Sequence, residues 1–433
     1  MLGPVTKLRP SRKRMLLCLA GTTGDVVPGL SLGAALRRAG FPVSVATHID
    51  YKEVVRKLGL DYAFLPYTQK DVFASRAGEL LRKRVCRGPA HALGLIKLLR
   101  DVQLPLFRAM ADLNVTGSSV VLYTPLCAPL QYFAERAGTP AIALHYQTPF
   151  PNGAHASPYL SVPSSRYAWA NRTTFGLVAR AADCFVVPAV REAGRVHDLE
   201  LPATRTILDE AWRRATLHIQ ATSPWLTAEV PISPFMERRI GFLPPCLPNY
   251  GEPPSALLRK RRLGRRIIFF GVGSAPVGPT LPRFLAALAR YAVHADATLV
   301  VDQSVGNVSH LPCDVLRVSR VRHDALFPYV NAALITGGAG TVSAALRCGV
   351  PLVILPHWFD HFIWRRLLQD RNLAAHDTPP IGRWSGAVSN GLDWALSGIA
   401  RSNMNEAAAR LSEERATEEG VELVVRVEED SKR

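Results

Sequence analysis

"ITGGAGTVSAALRCGVP", residues 335–351, decides the fold. The apolar run "AALIT" ends there, glycines crowd the next positions, and an Ala- and Leu-rich helical pattern follows through "GTVSAALRCG". The order is strand, turn, helix. The first-turn N–H groups of a helix lack internal partners, and the peptide dipoles add partial positive charge at that end. Glycine permits unusual backbone angles and removes the Cβ that would block a ligand. An anion can therefore sit on Gly337–Thr341 with no lysine to meet it. The glycines alone leave a ligand-free tight turn equally open. Two nucleotide motifs are excluded. GxxxxGK[ST] is absent, and in "GVGSAP", residues 271–276, Pro276 stands where GxGxxG needs its third glycine. This argues against a P-loop enzyme and against an NAD-dependent oxidoreductase.

Outward from the loop, strands and helices alternate. "RIIFFGVGS", "ATLVVDQ", "DVLRVSR" and "PLVILP" read as strands, with helices at "LPRFLAALARYAVHA", near 360–371 and near 386–398. The N-terminal half repeats the pattern. "RMLLCLA" is followed by "PGLSLGAALRRAG", a helix expected to start at Pro28, then by "FPVSVATH", "YAFLP", "SVVLYT" and "PAIALHY". "LHIQATS" is expected as the last strand of that half. Strands separated by helices imply parallel sheets covered on both faces, so the fold class is α/β. Residues 236–266, rich in Pro and then Arg, read as a linker between a domain at 1–235 and a domain at 267–433. Two such halves imply a cleft at the facing carboxyl ends of their strands.

The chain has 433 residues, 48% hydrophobic and 20% charged, with a formal net charge of +17. That is enough apolar sequence for ordinary cores, and the charge favours acidic partners such as nucleotides. Basic and aromatic residues are not interleaved as a nucleic-acid platform requires, so no nucleic-acid partner is expected. The seven cysteines stand singly, with no CxxC, which suggests reduced thiols and a cytoplasmic location. No run approaches the ~18 apolar residues a membrane span needs. Stable insertion is not expected; peripheral association through the basic 231–266 region stays open.

Several segments together resemble one family. "GTTGDVVPGLSLGAALRRAGFPVSVATH" and "HDALFPYVNAALITGGAGTVSAALRCGVPLVILPHWFDHFIW" are similar to the opening and the donor-site signature of the sterol glucosyltransferases and vancomycin-type antibiotic glycosyltransferases, and "FFGVGS" to their first donor-domain strand. The matches keep their order and span residues 14–370. The resemblance implies a GT-B fold, two Rossmann-like domains with parallel sheets facing a cleft. The N-terminal domain would bind an acceptor and the C-terminal domain a nucleotide sugar, with the last helix returning to the N-terminal domain. It implies an inverting, metal-independent transfer of a sugar from a UDP- or dTDP-sugar to a hydroxyl of a small natural product or lipid-like acceptor, with no cofactor. A nucleotide-sugar epimerase or hydrolase on the same fold, or a binding protein without activity, are the rival readings.

The resemblance also assigns positions. Asp25 is the general-base candidate; the rival role is a helix cap. Thr336, Gly337, Gly338, Ala339, Gly340 and Thr341 would hold the donor diphosphate. Ser274, Arg322 and His323 would approach the nucleotide, although Ser274 equally suits a turn bonding its own backbone. Asp360 and His361 would hold the donor sugar, and Asp360 also suits a helix N-cap. Thr23, His145 and Tyr146 belong to the acceptor side. Phe150, Tyr159, Tyr167 and Trp169 suit either an acceptor pocket or local packing. His357 precedes the helix of "HFIWRRLLQ", so HxxDH is not read as a metal site, and no metal is expected. The sequence departs from the family at three places: Thr336 stands where a His contacting the diphosphate is common, His361 where Gln often follows the acidic residue, and Ala344 where the plant branch has a ribose-binding Glu.

Overall fold

The computed structural model describes residues 13–68, 71, 89–148, 150–185, 187–199, 201, 207–230, 236–248, 251–273, 280–319, 321–357 and 359–432. Two all-parallel sheets organise them. The first runs β3-β2-β1-β4-β5-β6-β7, with β1 Arg14–Leu19, β2 Val43–His48, β3 Asp61–Leu65, β4 Ser118–Tyr123, β5 Ala141–His145, β6 Leu217–Gln220 and β7 Glu237–Arg239. The second runs β10-β9-β8-β11-β12, with β8 Arg266–Gly271, β9 Ala297–Asp302, β10 Val315–Val318, β11 Ala332–Ile335 and β12 Leu352–Ile354. The strands are almost wholly apolar because both faces are covered. In β1, Met15, Leu17 and Leu19 enter one core and Leu16 and Cys18 the other, the period-2 division a central strand imposes. Ile267 and Phe269 against Ile268 and Phe270 do the same in β8.

Six helices carry the argument: α1 Thr23–Arg38, α2 Pro89–Ala111, α3 Ala339–Arg347, α4 His361–Gln369, α5 Gly398–Ser412 and α6 Ala416–Asp430. Both sheets reverse their strand order beside the first strand of each half, between β1 and β4 and between β8 and β11. Ligands of open α/β sheets collect at such points, outside the carboxyl ends of the strands. The β1–α1 turn and the β11–α3 turn occupy those two positions.

Two local expectations are corrected. α1 begins at Thr23, not at Pro28, which lies inside the helix. A Thr22–Asp25 cap starts the helix earlier, so the proline removes only one bond near its start. The last strand of the first sheet is not the "LHIQ" strand but β7, whose sequence Glu-Arg-Arg gives no strand signal; it is held by register with β6, Ile219 opposite Arg238. The segment 236–266, read as a linker, holds β7 and the helix Ser255–Arg262. In addition α2, which the sequence pattern did not reveal, fills the space between β3 and β4. α6 packs on α1: Ala416, Val424 and Val425 join the core of Leu30, Leu32 and Ile240.

Candidate functional site

One cavity of about 550 Å³ lies between the two sheets and is lined from both, a size that suits a drug-sized ligand. Asp25, Thr23, His145 and Tyr146 reach it from the first sheet. Thr336, Gly338, Ala339, Gly340, Thr341, Arg322, His323, Asp360 and His361 reach it from the second. The structure thus brings to one cavity most of the residues assigned a role from the sequence, whereas Gly337 lies behind its lining. Ser274 lies outside the described residues.

Asp25 occupies the third position of α1. Its Oδ2 accepts the Thr22 N–H at 2.7 Å and the Thr22 hydroxyl at 3.0 Å, so it caps the helix and keeps Oδ1 for another partner. Burial pushes its pKa up, against the two Thr22 hydrogen bonds, which hold it down. A carboxylate made more basic this way is better suited to accept a proton near neutral pH. Gly21, at φ 135°, is fixed by this arrangement, since a Cβ there would collide with the Asp25 carboxylate. The Gly21 N–H donates to His48 Nε2 at 3.1 Å, so His48, a cavity residue that sequence reasoning missed, anchors the turn from β2.

Across the cavity stands the β11–α3 turn. Gly337 has φ 103°, and a Cβ there would lie 2.9 Å from Ile354 Cγ2 and 3.3 Å from both Cα and the carbonyl oxygen of His361. The glycine therefore lets the N-termini of α3 and α4 meet. Their unpaired first-turn amides and aligned dipoles make this junction the most favourable place in the cavity for an anion. Thr336 is buried, and its hydroxyl donates to the Val272 carbonyl at 3.4 Å, stitching the β8 and β11 loops together.

Asp360 precedes α4. Its Oδ2 accepts the Trp364 indole N–H at 2.6 Å. Burial pushes its pKa up to about 7, the Asp25 charge adds to the rise, and the Trp364 bond opposes it. Asp25 thus acts on Asp360 through the cavity. Both carboxylates also help push the Tyr159 phenol up, after burial. Tyr159 lines the cavity and meets the Phe359 ring edge-on at 6.5 Å, while Ser161 Oγ accepts the Phe359 N–H at 2.8 Å. The segment around Tyr159 is thereby pinned beside Asp360.

At the far end, Arg322 Nε donates to Asp324 Oδ1 at 3.1 Å, and His323 stacks on Phe327 with ring centroids 5.1 Å apart. Asp302 and Gln303, at the carboxyl end of β9, also line this end. The sequence reading passed over them, although a strand end in such a sheet was a signal.

On the acceptor side, His145 is committed to a buried pair, its Nε2 3.0 Å from His218 Nδ1, whose other nitrogen contacts the Trp212 carbonyl at 2.9 Å. Tyr146 is buried, and Phe150 packs on that pair. Tyr167 and Trp169 are exposed and do not line the cavity. The apolar wall comes instead from Leu98, Val102 and Leu106 of α2, with Leu126, Leu243 and Leu247. The i, i+4, i+8 spacing of the first three was the available signal for a helical stripe. Among the described residues no three His, Cys, Asp or Glu side chains are grouped to hold a metal, and no helix is long and apolar enough to cross a membrane.

Comparison with known proteins gives a consistent picture. Residues 285–429 match the family model "Erythromycin biosynthesis protein CIII-like, C-terminal domain". The sterol 3-beta-glucosyltransferase UGT80B1 of Arabidopsis thaliana is 23% identical over 93% of this chain and 66% of its own length. The uncharacterized protein Mb1553c of Mycobacterium bovis is 26% identical over 82% of this chain and 83% of its own. Among solved structures, the glycosyltransferase VinC in complex with DTDP superposes with a TM-score of 0.67 at 18% identity, covering 96% of this chain and all of that one. The chain spans about two-thirds of the length of the Arabidopsis relative.

Proposed function

We propose that this chain, a glycosyltransferase of the GT-B fold that resembles the family 1 enzymes over most of its length, is an inverting transferase. It takes a nucleoside-diphosphate sugar, UDP- or dTDP-linked, and delivers the sugar to a hydroxyl of an apolar natural product or lipid-like alcohol. One observation carries the reading: a capped carboxylate, Asp25, and a glycine-rich helix N-terminus line the same cavity from opposite sheets.

The chemistry follows from that placement. The acceptor hydroxyl lies against the apolar wall of α2 with its proton toward Asp25. Its oxygen forms a bond to the anomeric carbon while the bond from that carbon to the phosphate oxygen breaks. The electron pair leaves with the diphosphate, and the proton passes to Asp25. Because attack and departure take opposite faces, configuration inverts. The α3 amides stabilise the departing charge; donors of this kind are commonly worth about 2.7–4 kcal/mol each. No step in this scheme draws on a metal. Asp302, Gln303, Arg322 and His323 form the nucleoside end, and Asp360 accepts hydrogen bonds from sugar hydroxyls. The apolar wall favours transfer to an organic alcohol over transfer to water, and so favours this reading over a hydrolase. Cys18, Cys127, Cys246, Cys313 and Cys348 are free thiols, which supports a reducing compartment such as the cytoplasm.

The test is incubation with UDP- and dTDP-sugars, with and without a panel of ring-bearing alcohols, read by mass spectrometry. Glycosylated alcohol is expected. Donor conversion at the same rate without any acceptor would overturn the transferase reading.

A further inference from the structure

Sequence resemblance puts His361 beside Asp360 on the donor sugar. The geometry points elsewhere, and we propose that His361 donates its Nε2–H to the departing diphosphate, supplying from α4 the hydrogen bond that Thr336 does not make from just past β11. This rests on the nucleotide-sugar reading above.

Three observations carry it. First, His361 opens α4, and its Nδ1 accepts the backbone N–H of His357 at 3.3 Å. A backbone N–H can only donate, so Nδ1 carries no proton and, in the neutral ring, Nε2 does. Second, a Cβ built on Gly338 would lie 3.9 Å from that Nε2. Gly338 caps α3, so the ring nitrogen that bears the proton stands against the turn where the unpaired amides converge. Third, the ring is buried yet borders the cavity together with Gly338, Ala339, Gly340 and Thr341. Burial, with the His357 ring adding to it, pushes the pKa of His361 down to about 3, which keeps the ring neutral.

The complement lies just past β11. The Thr336 hydroxyl donates to the Val272 carbonyl, so it is turned to joining two loops rather than toward a phosphate. Among the described residues at this turn, the donors aimed at a phosphate are the α3 amides and one imidazole N–H, set on two helices whose N-termini touch at Gly337. A hydrogen bond to a charged oxygen from a fixed neutral donor strengthens as negative charge accumulates on the leaving group. His361 thus contributes more to departure than to initial binding.

The experiment compares wild type, His361→Ala and His361→Gln by calorimetry against UDP and dTDP, UMP and dTMP, and UDP-glucose, with ligand-free melting curves as the folding control. His361→Ala is expected to bind the diphosphate about tenfold more weakly. Its monophosphate affinity should change less than twofold, and the loss for the nucleotide sugar should be present but smaller than that for the diphosphate, because the leaving group carries less charge before the bond breaks. His361→Gln, which keeps an N–H donor at a similar reach, should stay within about threefold of wild type. A His361→Ala protein that binds diphosphate normally and loses only the nucleotide sugar would overturn the proposal and return the residue to the sugar. Equal losses for monophosphate and diphosphate would overturn it in favour of a structural role. Nitrogen-15 spectra of the wild-type imidazole decide the matter even if the alanine variant does not fold: Nε2 should be the protonated nitrogen and should shift with diphosphate but not with monophosphate, and the opposite tautomer or no shift would overturn it. A wild type that binds none of these nucleotides would instead remove the nucleotide-sugar reading itself.

Discussion

Single residues set the chemistry through small differences in environment. Asp25 and Asp360 are both carboxylates with raised pKa values, but their partners differ. Asp25 holds Thr22 and keeps one oxygen for a substrate, whereas Asp360 holds the Trp364 indole. Replacing Asp25 with Asn keeps an oxygen that can accept from the Thr22 N–H but removes the proton acceptor. Turnover should fall by about 10²–10⁴, with diphosphate affinity unchanged by calorimetry. Asp360→Asn should separate stability from function. Its folded pKa, about 7, lies above the ~3.9 of an unfolded carboxyl. Ionising it in the fold therefore costs stability that is intact below the unfolded value and lost as pH rises through 7. The variant should melt higher than wild type at pH 8, with the gain vanishing near pH 4, and should bind nucleotide sugar more weakly. A scanning-fluorimetry series across pH reads the first effect. The role of Asp25 as a cap was legible in the sequence as an alternative to its role as a base. The structure has it capping the helix while lining the cavity, because the cap bonds use one carboxylate oxygen and leave the other. The commitment of His145 to His218 was not legible, since the two are joined by neighbouring strands and not by any local spacing.

At the level of elements, local pattern revealed most of what the backbone does. The loop 335–341 was readable because strand, glycine turn and helix follow one another within a few residues, and their meaning depends on local amide geometry. Strands such as β1 and β8 were readable because burial on both faces leaves an unbroken apolar run. β7 was not, because its Glu-Arg-Arg sequence carries no apolar signal and its place comes only from pairing with β6. The start of α1 was displaced for a related reason. Proline is common at a first helical position, so Pro28 suggested a beginning, but the Thr22–Asp25 cap fixes the helix earlier. Distant packing was also invisible to pattern alone, and α6 shows its weight. Val424 is fully buried in the same core as Leu30 and Leu32 of α1, the helix whose first turn carries Asp25. Val424→Asp would place an unpaired charge in that core and should destabilise the fold by at least about 3 kcal/mol in urea denaturation. Exposed Glu422→Lys on the same helix should change stability by no more than about 0.5 kcal/mol.

For the whole molecule, the buried histidines set an acid limit. His155 and His218 are pushed down to about 4 and His361 to about 3, in each case by burial first, while the same residues titrate near ~6.5 when unfolded. Between those values the unfolded chain binds more protons, so stability is complete above the unfolded value and drains as pH falls toward 4 and then 3. Asp25, Asp360, Glu414 and Glu419 have the opposite sign, but His48, His145 and His323 are also pushed down by burial and add to the acid loss. The denaturation midpoint should be lower at pH 5 than at pH 7.5, and a midpoint that rose on acidification would contradict the burial of these rings. A further property follows from where the chain passes between its two halves. It leaves the first sheet after β7, through Gly241 and Phe242, and returns between α5 and α6. These passages touch: at φ 92°, Gly241 would place a Cβ 3.1 Å from Glu414 Cβ and 3.2 Å from Ala416 Cβ. Arg347, the last residue of α3, donates to the Phe242 carbonyl at the same spot. The rear end of α3 is thus fastened to the two adjoining crossings, with the glycine turn at its opposite tip. A nine-residue helix is about 13 Å long, so a swing of about 10° would carry the tip about 2 Å. A change in the angle between the two halves would therefore be felt first at the glycine turn.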